Sequence, residues 1–325
     1  MILVLGGAGY IGSHTVKQLT KRGEKVLVYD DLSQGHRVAV RGAELVEGDV
    51  SDTKRLSETC RTHDVDSIIH FAAHCYVGES VLHPDKYYRN NVAGMISVLN
   101  AMVETGVKRI IFSSSAAVYG IPDSVPILEG AVLKPINPYG RTKLMMEEMM
   151  GDYEPAYGIT YTALRYFNAA GSDCEGDLGE WHDPETHLIP LACHAALGLR
   201  ERLTIYGDAY DTPDGTCVRD YIHVDDLAEA HILALDRLRN GGSSKSFNLG
   251  NGEGYSVKEV ADMVSKVSGK KFEVEIGPAR PGDPPSLVAD SSGAEKSLGW
   301  CQIHPGLEEI VTTAYRWLEK HPKGY

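Results

Sequence analysis

Residues Ile2 to Leu5 form a short apolar run that ends in Gly6-Gly7-Ala8-Gly9-Tyr10-Ile11-Gly12. A run of this kind reads as a buried parallel strand feeding a glycine-rich turn. Glycine lets the backbone approach a diphosphate closely, and the phosphate charge then sits at the N-terminus of the following helix. The spacing is G-x-x-G-x-x-G, not the G-x-G-x-x-G of dehydrogenases. Ser13 to Arg22 reads as that helix, stopped by Gly23, and Lys25 to Tyr29 as a second strand closed by Asp30-Asp31. An acid at the end of the second strand hydrogen-bonds ribose hydroxyls and repels a 2′-phosphate, so Asp30 predicts NAD in preference to NADP. Gly6, Gly9, Tyr10, Ile11, Gly12 and Asp30 are therefore candidate cofactor contacts. Asp49 and Val50, after a third strand, suit the adenine end.

The rest of the chain extends this pattern and then changes it. Leu45-Val46, Ser67 to Phe71, Arg109 to Phe112 and Tyr161 to Arg165 read as further strands, with helical segments between most of them. The alternation predicts an α/β fold, a Rossmann-type doubly wound parallel sheet covered on both faces. After Asn168 the chain turns loop-rich, and Ala169 to Asp183 reads as a long loop. A helix is expected within 186–200, a strand over Leu203 to Gly207, and an amphipathic helix over Asp225 to Arg239. Ser246 to Gly250 is expected as a last strand of the large sheet. Ser256-x-x-Glu259 is a capping box that opens another helix. A final helix turns Leu307, Ile310, Val311, Ala314 and Trp317 to one side. This divides the chain into a dinucleotide-binding domain, 1–168, with 220–250 contributing, and a smaller C-terminal α/β substrate lobe, 169–325. The cleft between them is the expected ligand site.

A formal net charge of −13 argues against nucleic acid as a partner, which needs a basic face. Any phosphate site must then be built from a few local arginines and backbone N–H groups. Six scattered cysteines without a C-x-x-C pair read as the reduced thiols of a cytoplasmic protein. The apolar N-terminal run is too short for a signal peptide, no stretch reaches membrane-spanning length, and no metal is expected.

Tyr139 and Lys143 stand four apart at the start of a helix-forming run. That spacing puts both side chains on one helix face. A free tyrosine titrates near ~10 and is a poor base at neutral pH. A nearby lysine cation favours the phenolate and is expected to lower that value, making the pair a general base or acid for a sugar or alcohol hydroxyl.

Several further motifs occur in order: Val77-Gly78-Glu79-Ser80, Tyr87-Tyr88-Arg89-Asn90-Asn91, Ser113 to Gly120, Arg165-Tyr166-Phe167-Asn168, Val218 to Val224, and Arg280-Pro281-Gly282-Asp283. With the glycine turn and the Tyr139/Lys143 pair, they make the chain resemble the extended short-chain dehydrogenase/reductase family. Within it, the chain resembles the UDP-glucose (UDP-galactose) 4-epimerases nearly end to end. The resemblance implies NAD held by the residues above together with Phe71, Ala72, Ala73, Asn90, Ser113, Tyr139, Lys143 and Tyr166. It implies that Tyr139 takes the proton of the sugar 4-hydroxyl, that Ser115 orders that hydrogen bond, and that Lys143 holds the nicotinamide ribose. A UDP-sugar would be bound by Asn168, Arg219, Arg280 and Asp283, with Ser115, Tyr139, His187, Leu188, Thr204, Tyr206 and Leu287 around it. Bidentate arginines are the usual counter-charge for a polyanion in an acidic protein.

Similar sugar-nucleotide dehydratases carry Thr followed by Asp-Glu, an acid and a base, where this chain has Ser115 followed by Ala116 and Ala117. The resemblance thus limits the chemistry to reversible hydride transfer at C4. Three positions depart from some members: Cys75 replaces a lysine, His187 an asparagine, and Leu287 a tyrosine that closes the sugar pocket. Leu287 is accordingly expected to leave a roomier pocket. The competing readings are C4 epimerisation of UDP-GlcNAc, UDP-xylose or UDP-glucuronate, and a non-catalytic NAD-binding regulator. An intact Ser115/Tyr139/Lys143 set argues against the regulator. A homodimer is expected from the resemblance and from a methionine cluster, Met145, Met146, Met149 and Met150, beside Leu99 and Met102.

Overall fold

A computed structural model describes residues 1–280 and 283–325. Pro281 and Gly282 of the Arg280-Pro281-Gly282-Asp283 motif lie outside the described residues. The first half runs β1 (Ile2–Leu5), α1 (Tyr10–Lys21), β2 (Val26–Asp30), β3 (Glu44–Glu47), α2 (Thr53–Thr62) and β4 (Ser67–His70). Two short helices follow, α3 (Val77–Leu82) and α4 (Pro84–Tyr87), then a π-helical turn over Tyr88–Ala93 and α5 (Gly94–Thr105). β5 (Arg109–Ser113), α6 (Pro138–Tyr157) and β6 (Thr160–Tyr166) complete it.

The second half runs β7 (Asn168–Ala170), α7 (Leu188–Leu197), β8 (Arg202–Tyr206), β9 (Val218–Arg219), β10 (Tyr221–His223), α8 (Val224–Arg239) and β11 (Lys245–Leu249). After these come β12 (Tyr255–Ser256), α9 (Val257–Ser268), β13 (Glu273–Gly277), β14 (Ser286–Leu287), α10 (Ser292–Leu298) and α11 (Leu307–Lys320).

The large sheet has seven parallel strands in the order β11-β6-β5-β4-β1-β2-β3. The order reverses between β1 and β4, which is where open α/β sheets bind ligands beyond their carboxyl ends. Successive residues of β1 face opposite sides. Leu3 and Leu5 join Leu56, Leu99 and Met102 under α2, α5 and α6, whereas Ile2 and Val4 join Val16 and Leu235 under α1 and α8. Burying one such side chain contributes about 1.5–3 kcal/mol. α7, α9 and α11 enclose a third core with Leu203 and Ile205 of β8.

Three expectations change. α1 starts at Tyr10, not Ser13, because Gly9 is its N-cap and Gly12 already packs in its first turn. The stretch expected as a loop from Ala169 opens instead with β7, which pairs with β10. Met146 and Met150 are fully buried with Leu99 and Met102 in the protomer's own core, and Met149 packs against it. Of that group only Met145 is exposed, so the methionine cluster is core filler and not a ready dimer face.

Candidate active site

The glycine turn is built by close approach. Gly6 has φ +77° and an added Cβ would strike the backbone of Ala72, while one on Gly12 would strike the Gly6 carbonyl. Both conditions exclude larger residues. Phe71 and Ala72 are tied in from β4, each donating its N–H to Leu5 O, at 2.8 and 3.1 Å. α1 has no side-chain cap and no acidic residue in its first turn. Its leading N–H groups thus face outward in a positive field, a donor set that fits a diphosphate.

Asp30 ends β2 almost fully buried, its oxygens accepting from Ala8 N and Leu32 N, both at 2.9 Å. Burial raises its carboxyl above its ordinary value against the pull of those two N–H groups. Val50 is buried and Asp49 exposed. Tyr10 spends its hydroxyl on Gly171 O, 2.6 Å away, so its side chain ties the turn to the segment after β7.

Tyr139 and Lys143 come from the first two turns of α6. Asn137 caps that helix, accepting from Gly140 N at 2.8 Å, and Pro138 opens it. Both side chains are buried, and Lys143 Nζ lies 5.9 Å from the Tyr139 ring centroid. Lys143 donates to Ser113 O at 2.7 Å, and the Ser113 and Tyr166 hydroxyls share a hydrogen bond. Ser115 begins a 3₁₀ turn over Ala116–Val118, accepting from Ala117 N at 3.2 Å.

The expected lowering of the tyrosine does not occur. Burial raises the Tyr139 phenol above its ordinary value, Tyr166 and Cys75 add to this, and the Ser115 hydroxyl pulls the other way. Burial also pushes Lys143 down to about 8, with Cys75 and Glu147 opposing. The apolar pocket disfavours both charged forms, and that desolvation outweighs the pairing that the spacing suggested.

The sequence reading missed the residues that hold this pair. Glu147, one turn beyond Lys143, meets Arg165 of β6, with Nη2 to Oε2 at 2.6 Å and both side chains 7% exposed. The Ser114 hydroxyl donates to the same carboxylate, and Arg165 Nη1 reaches Tyr119 OH at 3.0 Å. Thr142 donates to Tyr139 O at 2.7 Å and accepts from Asn91 Nδ2 at 3.0 Å. Asn91, in the π-helical turn, also holds the His74 backbone, whereas Asn90 donates to the Asn91 side chain at 3.0 Å. The i,i+4 spacing of Lys143 and Glu147 was the available signal for the first of these.

β10 pairs with β7, and β9 with β12 and β14, and these short ladders bring several nucleotide candidates together. Asn168 donates to Asp220 O at 2.8 Å. Arg219 pairs with Asp283 at 2.5 Å and is the register partner of Leu287 on β14. Arg280 is exposed and stacks on Tyr206, 4.2 Å from its centroid. Tyr206 and Thr204 face away from the buried Leu203 and Ile205. Leu287 packs against Val118, Tyr119 and Ile127, so its contacts are those of a partly buried core residue. Leu188 opens α7, and His187 caps that helix with its ring turned onto Glu180 and Glu185. No helix among the described residues is long and apolar enough to cross a membrane.

Comparison with known proteins places the chain in a family. Residues 2–250 match the NAD dependent epimerase/dehydratase family. The UDP-glucose 4-epimerase of Halalkalibacterium halodurans is 52% identical, covering 100% of this chain and 97% of that one. The crystal structure of UDP-glucose 4-epimerase from Brucella ovis in complex with NAD superposes with a TM-score of 0.95 at 52% identity, covering 97% of each chain. The Bifidobacterium longum UDP-glucose 4-epimerase in complex with NAD⁺ and UDP gives 0.94 at 38% identity, covering 100% of this chain and 99% of that one.

Proposed function

The chain belongs to the NAD dependent epimerase/dehydratase family, and on that premise we propose that it inverts C4 of UDP-hexoses, interconverting UDP-glucose and UDP-galactose with NAD as cofactor. One observation carries this reading. Ser115, Tyr139 and Lys143 are buried side by side, with Lys143 Nζ 5.9 Å from the Tyr139 ring centroid and the Ser115 hydroxyl against the Tyr139 phenol, and the two positions after Ser115 are Ala116 and Ala117. That set can move one proton at a hydroxyl, and the Ser115 strand-to-turn segment adds no acid–base pair that would eliminate water.

When bound, NAD supplies reversible hydride acceptance at C4 and a positive charge at its nicotinamide ring. The chain supplies everything else. Tyr139 takes the proton from the 4-oxygen and returns it to that same oxygen once the sugar presents the other face of C4 to the returning hydride. Burial holds that phenol neutral in the chain alone, and the positive charge that bound NAD would supply beside it favours the phenolate. Ser115 donates to the reacting oxygen, and Lys143, anchored by Ser113 O, aligns the nicotinamide ribose. Thr142 and Asn91 fix the backbone of Tyr139. The uncapped N-terminus of α1 takes the cofactor diphosphate, and Asp30 its adenosine ribose. Arg219 and Arg280 take the UDP diphosphate, Asp283 the uridine ribose, and Asn168 and the β8 residues the remainder. This UDP tether permits the 4-keto sugar to turn over without leaving.

The test is direct. Purified protein is incubated with UDP-galactose, UDP-glucose and their N-acetylated counterparts, and the C4 epimers are separated. Absence of any C4-epimerised product would refute the reading.

The division into a dinucleotide domain of 1–168 with 220–250, and a sugar-nucleotide lobe of 169–325, is part of this proposal. It is supported by β11 completing the large sheet and α8 packing on α1. A homodimer is supported by the family resemblance rather than by the methionine cluster, and light scattering at micromolar concentration decides it. A cytoplasmic location is supported by six cysteines that are all free.

A further inference from the structure

Glu180, His182, Glu185 and His187 lie within one loop before α7 and turn their donor atoms onto a single point, all within 4.8 Å of one another. His187 Nδ1 stands 2.9 Å from Glu180 Oε1 and 2.9 Å from Glu185 Oε1. His182 Nδ1 stands 3.4 Å from Glu180 Oε1 and 3.6 Å from Glu185 Oε2. We propose that this quartet is a binding site for one tetrahedrally coordinated divalent transition ion of the zinc type.

Hydrogen bonding alone does not account for the arrangement. An imidazole nitrogen carries one proton, yet His187 Nδ1 faces two carboxylate oxygens, and only the contact to Glu185 has hydrogen-bond geometry. His182 Nδ1 is sealed from solvent and has no hydrogen-bond partner. Glu180 and Glu185 are each 7% exposed, and Glu185 Oε1 already accepts from Thr186 N and His187 N, at 2.7 and 2.8 Å, which leaves Glu185 Oε2 and the Glu180 carboxylate to face a cation. A divalent cation in place of the imidazole protons satisfies all four side chains at once.

The spacing points to the kind of cation. Ligands about 2.0–2.2 Å from a tetrahedral zinc stand ~3.3 Å from each other. The four nitrogen-to-oxygen separations, 2.9 to 3.6 Å, bracket that value. Two imidazoles with two carboxylates suit zinc and its neighbours, whereas calcium and magnesium select oxygen donors alone. The acidic triplet Asp173, Glu175 and Asp177 differs, because Lys17 Nζ already supplies its cation at 2.6 to 2.9 Å.

With four protein ligands the site is closed, which is the mark of a structural ion. Its position says what it would brace. The Tyr10 ring from the glycine turn and the Tyr76 ring from the segment after β4 both pack on His182, at 6.4 and 6.0 Å. The ion would lock the loop leading into α7 against the dinucleotide-binding wall of the cleft.

The experiment uses untagged, NAD-containing protein treated with a chelator and dialysed. Zinc uptake is measured by competition with a chromophoric chelator, and cobalt(II) is added separately to read coordination from its visible absorption. The expected result is one zinc per chain, a higher melting temperature with zinc, and the intense cobalt bands of tetrahedral coordination. His182→Ala and Glu180→Gln should each weaken zinc binding by more than ~100-fold, since loss of outer-shell partners alone reaches 10–100-fold. Wild-type protein that takes up no zinc, or that gives only weak octahedral cobalt bands, overturns the proposal. So does undiminished uptake by either variant. If a variant does not fold, the wild-type stoichiometry and the cobalt spectrum still decide.

Discussion

Arg165 of β6 closes on Glu147 of α6 at 2.6 Å, inside the protein and one helical turn beyond Lys143. The pair joins the helix that carries Tyr139 to the strand that carries Tyr166. It also fixes Ser114, next to Ser115, through the same carboxylate. Burial opposes the Arg165 charge, yet Glu147 holds it above its ordinary value.

Breaking that pair should lower the stability of the whole fold. Glu147→Gln leaves a buried guanidinium without its counter-charge, a loss of about 3–5 kcal/mol. Denaturant titration would read it as a lower midpoint at unchanged slope. The double change Glu147→Met with Arg165→Met should recover part of the loss. A single variant as stable as wild type would mean that the pair contributes nothing.

Tyr139→Phe removes the proton-transfer group while keeping the ring. Turnover should fall by about 10²–10⁴, with NAD content and melting temperature retained. A Phe variant that epimerises at the wild-type rate would move the acid–base role elsewhere.

Lys143 sets a pH dependence of stability. Its folded value is about 8 and its unfolded value is near ~10.4. Below about 8 both states are protonated and the burial penalty is full. Between there and ~10.4 the unfolded chain binds the extra proton, so folding stability rises with pH. Lys143→Met abolishes that slope. The stability gap between variant and wild type should narrow from pH 7.5 to pH 10, by on the order of 3 kcal/mol at the limit. A gap that stays constant across that range would contradict it.

Asp30→Ala should relax the preference for NAD over NADP, because the like charge facing a 2′-phosphate is gone. The same change removes two buried acceptors, for Ala8 N and Leu32 N. A lower melting temperature is expected alongside, at about 1–3 kcal/mol. The ratio of the two cofactors' dissociation constants is the deciding measurement, and an unaltered ratio would reject the role.

Local chemistry was legible from the sequence. The capping box appears as read, with Ser256 Oγ accepting from Glu259 N at 3.0 Å and Glu259 Oε2 from Ser256 N at 2.7 Å. The glycine turn, the acid after β2 and the return of β11 to the large sheet were also foreseen. Each follows from backbone geometry or hydrogen bonds made within a few residues, or from the repeating strand–helix pattern.

Four features were settled only by the folded chain. Spacing alone placed Tyr139 and Lys143 on one face and suggested a lowered phenol, but the fold buried both and shifted each toward its neutral form. Met146, Met149 and Met150 of α6 went inward because the β5–β6 face of the sheet lay on that side, while Met145 stayed exposed. Arg165 found Glu147 across two elements. His182 and His187 converged on Glu180 and Glu185 only once the loop was closed against Tyr10 and Tyr76. Spacing along a chain sets which residues can share a face. Burial and charge pairing depend on what distant segments bring to that face, and no local pattern encodes that.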